Sequence, residues 1–211
     1  MNLDFFDHRQ NYTQGELREE ELPTHPWTPM QQWINEAVEK NHPEPLAFIL
    51  ATSGSDGQPS SRVVLLKQLT EKGLVFFTNY LSRKGKEIEV NHQVAALFFW
   101  PLLERQLRVE GIAEKTSEPL SDTYFNERPL ESRLAALVSP QSQVIPSRQW
   151  LDDKFEEARK SLPAIKRPPH WGGYCIKPHK IEFWQGRPNR LHDRIVYQFS
   201  EGQWKRFRLA P

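Results

Sequence analysis

LAFILATSGSDGQPSSRVVLLKQLTEKGLVFFTN, residues 46–79, contains three apolar runs separated by two short turn signals. LAFILAT (46–52), RVVLLKQL (62–69) and LVFFTN (74–79) are rich in β-branched and aromatic residues and are short, which predicts strands. The linking SGSDGQP and TEKG carry turn residues, and short turns join antiparallel neighbours. The fold is thus predicted to grow from an antiparallel sheet. VAALFFW (94–100) and RQLRVEGIAEK (105–115) extend the series, and GGYCIKP, KIEFWQG, RIVYQF and QWKRFRL end it, with EG as a turn between the last two. RVVLLK is apolar at four consecutive positions, which predicts burial of both faces of its strand, as where a barrel wall also meets a partner subunit or a ligand.

Helices are inserted singly among these strands. Thr28, Pro29 and Gln31 read as N-cap, first helical position and T-x-x-Q capping box ahead of WINEAVEK. Further helices are predicted in SRKGKEIEVN, over 119–138 with a split at Pro129, and in WLDDKFEEARKSL (150–162). Strands without strand–helix–strand alternation predict a mainly β (α+β) fold, a closed or nearly closed antiparallel barrel with peripheral helices. Residues 1–27, polar and carrying Pro23 and Pro26, read as a mobile N-terminal arm before a single domain over 28–211.

Composition narrows the function classes. Hydrophobic residues at 37% with seven Trp and twelve Phe among 211 residues suffice for one good-sized core. Lys and Arg number 28 against 27 Asp and Glu; a net charge of +1 gives no chain-wide field for tracking nucleic acid, so any anion site is local. The lone Cys175 excludes an intrachain disulfide and a four-cysteine zinc site. Charges occupy MNLDFFDHRQNYTQG where a signal peptide would be apolar, and no apolar run reaches membrane-spanning length. A soluble, cytoplasmic protein is expected.

Four stretches hold candidate chemistry. In TNYLSRKGKEIEVN, Ser82 is placed to cap a helix, so that Arg83 and Lys84 fall in its first turn. Cations there oppose the helix dipole but suit a phosphate; a solvated basic turn is the plainer reading. Arg62 and Lys67 bound RVVLLK and point to opposite faces of a regular strand, serving two ends of one ligand, two ligands, or solvent. Tyr124, Arg128 and Ser132 recur every four residues, but Arg128 precedes Pro129, which predicts a helix–loop–helix corner. Their hydroxyls and guanidinium suit a phosphate clamp, or an ordinary amphipathic surface. In GRPNRLHDR (186–194), a strand over RLHDR would put Arg190, His192 and Arg194 on one face, where the cations would favour a neutral imidazole. The histidines show no metal-ligand spacing, and P-loop, nucleophile-elbow and G-x-G-x-x-G motifs are absent from the sequence.

In that order, RVVLLK, FFTNYLSRKGKEIE, LERQLRVEGIAEK, YFNERPLESRLAALVSPQS, WGGY, IEFWQG and RLHDR resemble the pyridoxine (pyridoxamine) 5'-phosphate oxidase family, over most of the chain from Arg9 to the terminal RLAP. The resemblance implies a homodimer of FMN-binding split barrels that converts pyridoxine or pyridoxamine 5'-phosphate to pyridoxal 5'-phosphate, with oxygen as acceptor and hydrogen peroxide as by-product. It implies FMN contacts from Arg62, Val63, Val64, Leu65, Leu66 and Lys67, from Phe77 and Thr78, from Arg83 and Lys84 at the phosphate, and from Gln106, Gln141, Ser142, Trp184 and Arg194. The substrate phosphate would meet Lys67, Tyr124, Arg128 and Ser132, and its ring Arg190 and His192, the catalytic pair, under an arm carrying Arg9 and Tyr12. No metal is implied. The arm's LREEELP is more acidic than the family suggests, so no secondary ligand site is carried over. The rival readings are a split-barrel flavin reductase, a non-catalytic FMN-binding protein and a carrier of pyridoxal phosphate.

Overall fold

Pro178 interrupts the apolar alternation of the last third of the chain, yet the chain runs through it as one extended strand. The structure is a computed structural model describing all residues but 1, 2, 8, 9 and 162–164. Its elements are α1 (Trp27–Glu39), β1 (Ala47–Ser53), β2 (Pro59–Leu65), β3 (Gln68–Thr70), β4 (Gly73–Asn79), α2 (Arg83–Val90), β5 (Gln93–Trp100), β6 (Arg105–Lys115), α3 (Glu118–Glu127), α4 (Leu130–Val138), α5 (Arg148–Ser161), β7 (Trp171–Gln185), β8 (Asp193–Ser200) and β9 (Gln203–Arg208). Short 3-10 turns occupy Glu19–Glu21, Pro101–Leu103 and Pro188–Arg190. The strand order is β2-β1-β5-β6-β7-β4-β3, with β8 on β7 and β9 on β8. Trp171–Ile176 of β7 pairs antiparallel with β4, and Lys180–Gln185 pairs antiparallel with β8. Pro178 falls between these two registers, where β7 changes partner and a missing N–H costs least.

The chain forms two compact units: residues 1–48, 96–110 and 178–211, and residues 49–95 and 111–177. The core of the first is aromatic. Trp33 of α1 meets Phe183 edge-on at 5.0 Å, Phe183 packs on Tyr197, and Phe48 lies 5.0 Å from Phe98. In the second, Leu74, Phe76, Phe125, Trp171, Tyr174 and Ile176 are buried, and Phe77 stacks on Tyr124 at 4.1 Å.

The mainly β, antiparallel expectation with peripheral helices is met, and four local expectations are corrected. α1 starts at Trp27 with Pro26 in the capping position and no side-chain cap. Pro26 already has helical angles and its carbonyl accepts from Met30 N–H, so Thr28 lies inside the first turn and the expected capping box does not form. The strand expected over 62–69 is divided between β2 and β3. GGYCIKP and KIEFWQG, expected as two strands, are the single strand β7. Exposure alternates along β2, leaving Val63 65% and Leu65 41% exposed within one chain, where the expected cover is a partner subunit or a ligand. Finally, RLHDR is not a strand throughout: Asn189 and Arg190 take left-handed angles in a turn after Pro188, and β8 starts only at Asp193. Arg190, His192 and Arg194 therefore do not share one strand face. The expected end of α5 at residue 162 lies outside the described residues.

Candidate functional site

In the second unit, β2, β4, α2 and the α3–α4 corner border a cleft of about 600 Å³. The corner follows from sequence. Ser117 caps α3 by accepting from Leu120 N–H, Arg128 is extended ahead of Pro129, and α4 restarts at Leu130. Tyr124, Arg128 and Ser132 accordingly line the cleft together, with Lys67 across from them; the Lys67 ammonium lies 6.0 Å from the Tyr124 ring centroid. Arg128 stacks its guanidinium 4.7 Å from the Trp171 ring. Its buried Nη1 has no hydrogen-bond partner among the described residues, and burial pulls its pKa down.

Lys84 is the third cation of this cleft, after Lys67 and Arg128. Ser82 caps α2 by accepting from Gly85 N–H, which sets Lys84 in the first turn, buried. Its Nζ donates to Thr78 Oγ1 (3.1 Å), Gln141 Oε1 (3.1 Å) and Ser82 Oγ (3.4 Å), all neutral groups. Burial first, and nearby Arg62 second, lower its pKa. A buried ammonium with only neutral acceptors is poorly compensated. Phosphate would compensate it, so Lys84 and Arg128 fit two anionic groups.

Arg62 and Arg83 are engaged otherwise. Both turn to Glu87, Arg83 Nε at 2.7 Å from Oε1 and Arg62 Nη2 at 3.3 Å from Oε2. Arg62 also donates to Leu50 O, Thr52 Oγ1 and Ser60 Oγ. Thr52 and Ser60 hydroxyls reach Glu87 at 2.5 and 2.6 Å. Burial would raise the Glu87 pKa, but the bonds from Ser60, Thr52 and Arg83 outweigh it and hold the value at about 2. The pKa of Arg62 is also lowered, because its desolvation exceeds the pull of Glu87. Arg83 and Glu87 line a separate hollow of about 500 Å³, where Ser142 also lies, at a left-handed φ of 70°. Val63, Val64 and Leu65 of β2 line the larger cleft with Phe77, Thr78 and Gln141, while Leu66, just past the end of β2, is buried.

The first unit has its own pocket, of about 910 Å³, lined by Tyr12, Gln106, Trp184, Arg187, Arg190 and His192 among others. Trp184 and His192 rings are 4.6 Å apart, and Tyr12 meets both edge-on. Tyr12 fits because residue 186 is glycine: a Cβ there would sit 2.7 Å from Tyr12 Cγ. The His192 Nδ1 accepts from Arg187 N–H at 3.0 Å, and burial, then Arg190, lower its pKa. Arg194 grips Glu182 through Nε (2.8 Å) and Nη2 (3.1 Å), which raises its pKa. Arg9 lies outside the described residues.

Sequence reasoning missed Glu87 and Glu182, the two buried carboxylates among the described residues. The signal for Glu87 was its place four residues after Arg83 on α2; Glu182 carried none.

The whole chain is similar to known proteins. The model of the pyridoxamine 5'-phosphate oxidase family matches residues 34–161, and that of the pyridoxine 5'-phosphate oxidase C-terminal dimerisation region matches 171–211. A pyridoxine/pyridoxamine 5'-phosphate oxidase of Gloeothece citriformis is 48% identical over 214 residues, spanning 100% of both chains. The chain belongs to the pyridoxamine 5'-phosphate oxidase family. Among solved structures, PhzG of Burkholderia lata 383, in complex with tetrahydrophenazine-1-carboxylic acid, is 31% identical with a TM-score of 0.87, covering 91% of this chain and 95% of its own. An FMN-binding relative of the oxidases from Nostoc punctiforme shares the fold, at 18% identity and a TM-score of 0.73, covering 90% of this chain and 100% of its own. Family membership agrees with the split-barrel reading of the strand order, and among the described residues no helix is long and apolar enough to cross a membrane.

Proposed function

We propose that the protein oxidises pyridoxine 5'-phosphate and pyridoxamine 5'-phosphate to pyridoxal 5'-phosphate, with FMN as resident cofactor, oxygen as electron acceptor and hydrogen peroxide as by-product. Support comes from the family of the chain and from one observation above all: Lys84 and Arg128 are cations within one cleft that no carboxylate among the described residues neutralises. FMN, when bound, supplies the two-electron redox capacity that protein side chains lack.

The chain's own residues bind, orient and exclude water. We assign Lys84, with Thr78 and Gln141, to the flavin phosphate, joined by Arg62 and Arg83 on release from Glu87 and by Ser142 from the neighbouring hollow, and the backbone of Val63–Leu66, with Phe77, Gln106, Trp184 and Arg194, to the rest of the flavin. Lys67, Tyr124, Arg128 and Ser132 take the substrate phosphate, which fixes the ring relative to a remote anchor and converts binding energy into orientation. Arg190, His192, Tyr12 and Arg9 are assigned to the substrate ring. Arg190, held at φ 62° beside Asn189 at φ 57°, carries the permanent charge nearest the reacting carbon in this reading. A homodimer, in the cytoplasm, completes the proposal.

The protein should purify yellow and release peroxide with either phosphorylated substrate but not with unphosphorylated pyridoxine, as followed by absorbance and oxygen uptake. A colourless protein that cannot be reconstituted with FMN overturns the reading. A second reading, oxidation of another cyclic acid, is favoured by the likeness to PhzG; it predicts turnover without a substrate phosphate and leaves the unpaired Arg128 unexplained.

A further inference from the structure

His192 can work on a ring substrate as an imidazolium, as a base, or as a neutral donor, and its surroundings separate these roles. A backbone N–H is always a donor, so the 3.0 Å contact from Arg187 N–H makes Nδ1 the acceptor. A proton on Nδ1 would set two N–H groups face to face. Arg187 is itself tied down: its Nη1 donates to Gly15 O (3.3 Å) and Glu16 Oε2 (3.1 Å), and its Nε lies 3.7 Å from Asp193 Oδ2. Asp193, next in sequence, accepts from Leu17 N–H and from Arg208 Nη1, and its charge pulls the His192 pKa up by less than burial and Arg190 push it down. The remaining groups facing the ring are Arg190, which opposes a second positive charge, and the rings of Tyr12 and Trp184, which carry no formal charge.

We propose that His192 acts as a neutral imidazole donating from Nε2 to an anionic oxygen or a lone-pair nitrogen on the substrate ring, and that Arg187, through its backbone N–H, is the positioning residue that fixes this tautomer. The proposal deepens the oxidase reading and rests on it for the identity of the substrate. It excludes His192 as the base at Nε2, and makes activity fall as acid protonates Nδ1 and expels it from the Arg187 amide. The lowered pKa puts that loss below the pH at which an ordinary histidine titrates.

The test has two arms. Nitrogen-15 imidazole spectra of the wild-type protein should show His192 Nδ1 unprotonated and Nε2 protonated at neutral pH. A protonated Nδ1 at that pH overturns the proposal. In the second arm, His192→Gln, whose amide reaches the Nε2 position, should keep kcat/KM about 10- to 100-fold above His192→Asn, whose amide reaches only Nδ1. The Gln variant should also lose the acid limb of the pH profile. An Asn variant as active as the Gln variant, or a Gln variant that keeps the limb, sinks the idea. If wild-type protein oxidises neither substrate, the functional reading falls alone, because the nitrogen spectrum still decides the tautomer.

Discussion

Glu87 shows what a single buried carboxylate does in this fold. Four side chains, Thr52, Ser60, Arg62 and Arg83, converge on its two oxygens. Its pKa falls from 4.5 to about 2, so the folded state binds its proton more weakly than the unfolded chain. The stabilisation is therefore complete above pH 4.5 and lost as pH falls from 4.5 toward 2. A shift of that size corresponds to at most about 3 kcal/mol. Glu87→Gln should cost up to that amount at neutral pH, with the gap to wild type closing in acid, as read from urea unfolding at a series of pH values. A gap that is constant with pH would mean that charge at Glu87 contributes little. Lys84 and Arg128 form the contrast: theirs are charges that folding leaves without a carboxylate in the described residues, and so the ones a ligand completes.

Helix α2 shows the same trade at the scale of an element. Its first turn contains Arg83 and Lys84 and no acidic residue, against the preference of a helix N-terminus. Arg83 recovers stability through the i,i+4 pair with Glu87, while remaining 59% exposed. Lys84 has no such pair. Lys84→Met should therefore raise the unfolding free energy of the ligand-free protein by about 1 kcal/mol, through removal of an unfavourable dipole contact and a desolvated charge. The same change should weaken FMN binding by at least about tenfold, since charge-assisted bonds to phosphate are lost. Melting curves with and without FMN measure both effects, and a variant destabilised in the ligand-free state would show Lys84 to be structural. The corner at Arg128–Pro129 was readable at this scale because proline restricts the residue before it whatever the tertiary context.

For the whole molecule, the open face of β2 matters most. Val63 and Leu65 are 65% and 41% exposed on a strand whose sequence reads as buried on both faces. The C-terminal residues match a region described as a dimerisation region. A second copy over β2 would reconcile the two, and apolar interfaces of that kind are sensitive to one unpaired charge. Val63→Glu is expected to convert a dimer into a monomer in sedimentation and to release FMN. A variant that sediments as wild type would place the interface elsewhere.

The sequence by itself determined where most strands lie, though not the break after Leu65 or the continuity through Pro178, together with the α3–α4 corner, the Ser82 cap and the family, because apolar period, proline sterics and ordered motifs are local properties of the chain. It misjudged α1, where Pro26 already takes helical angles and moves the start ahead of Thr28, and RLHDR, where left-handed turns at Asn189 and Arg190 replace a strand. Only the tertiary structure decided which cations are neutralised. Arg62, Arg83 and Arg194 look like Lys84 and Arg128 in sequence, yet the first three meet Glu87 or Glu182 and the last two do not. Ion pairing depends on distances between residues far apart along the chain, and those distances exist only once the strands and helices have packed.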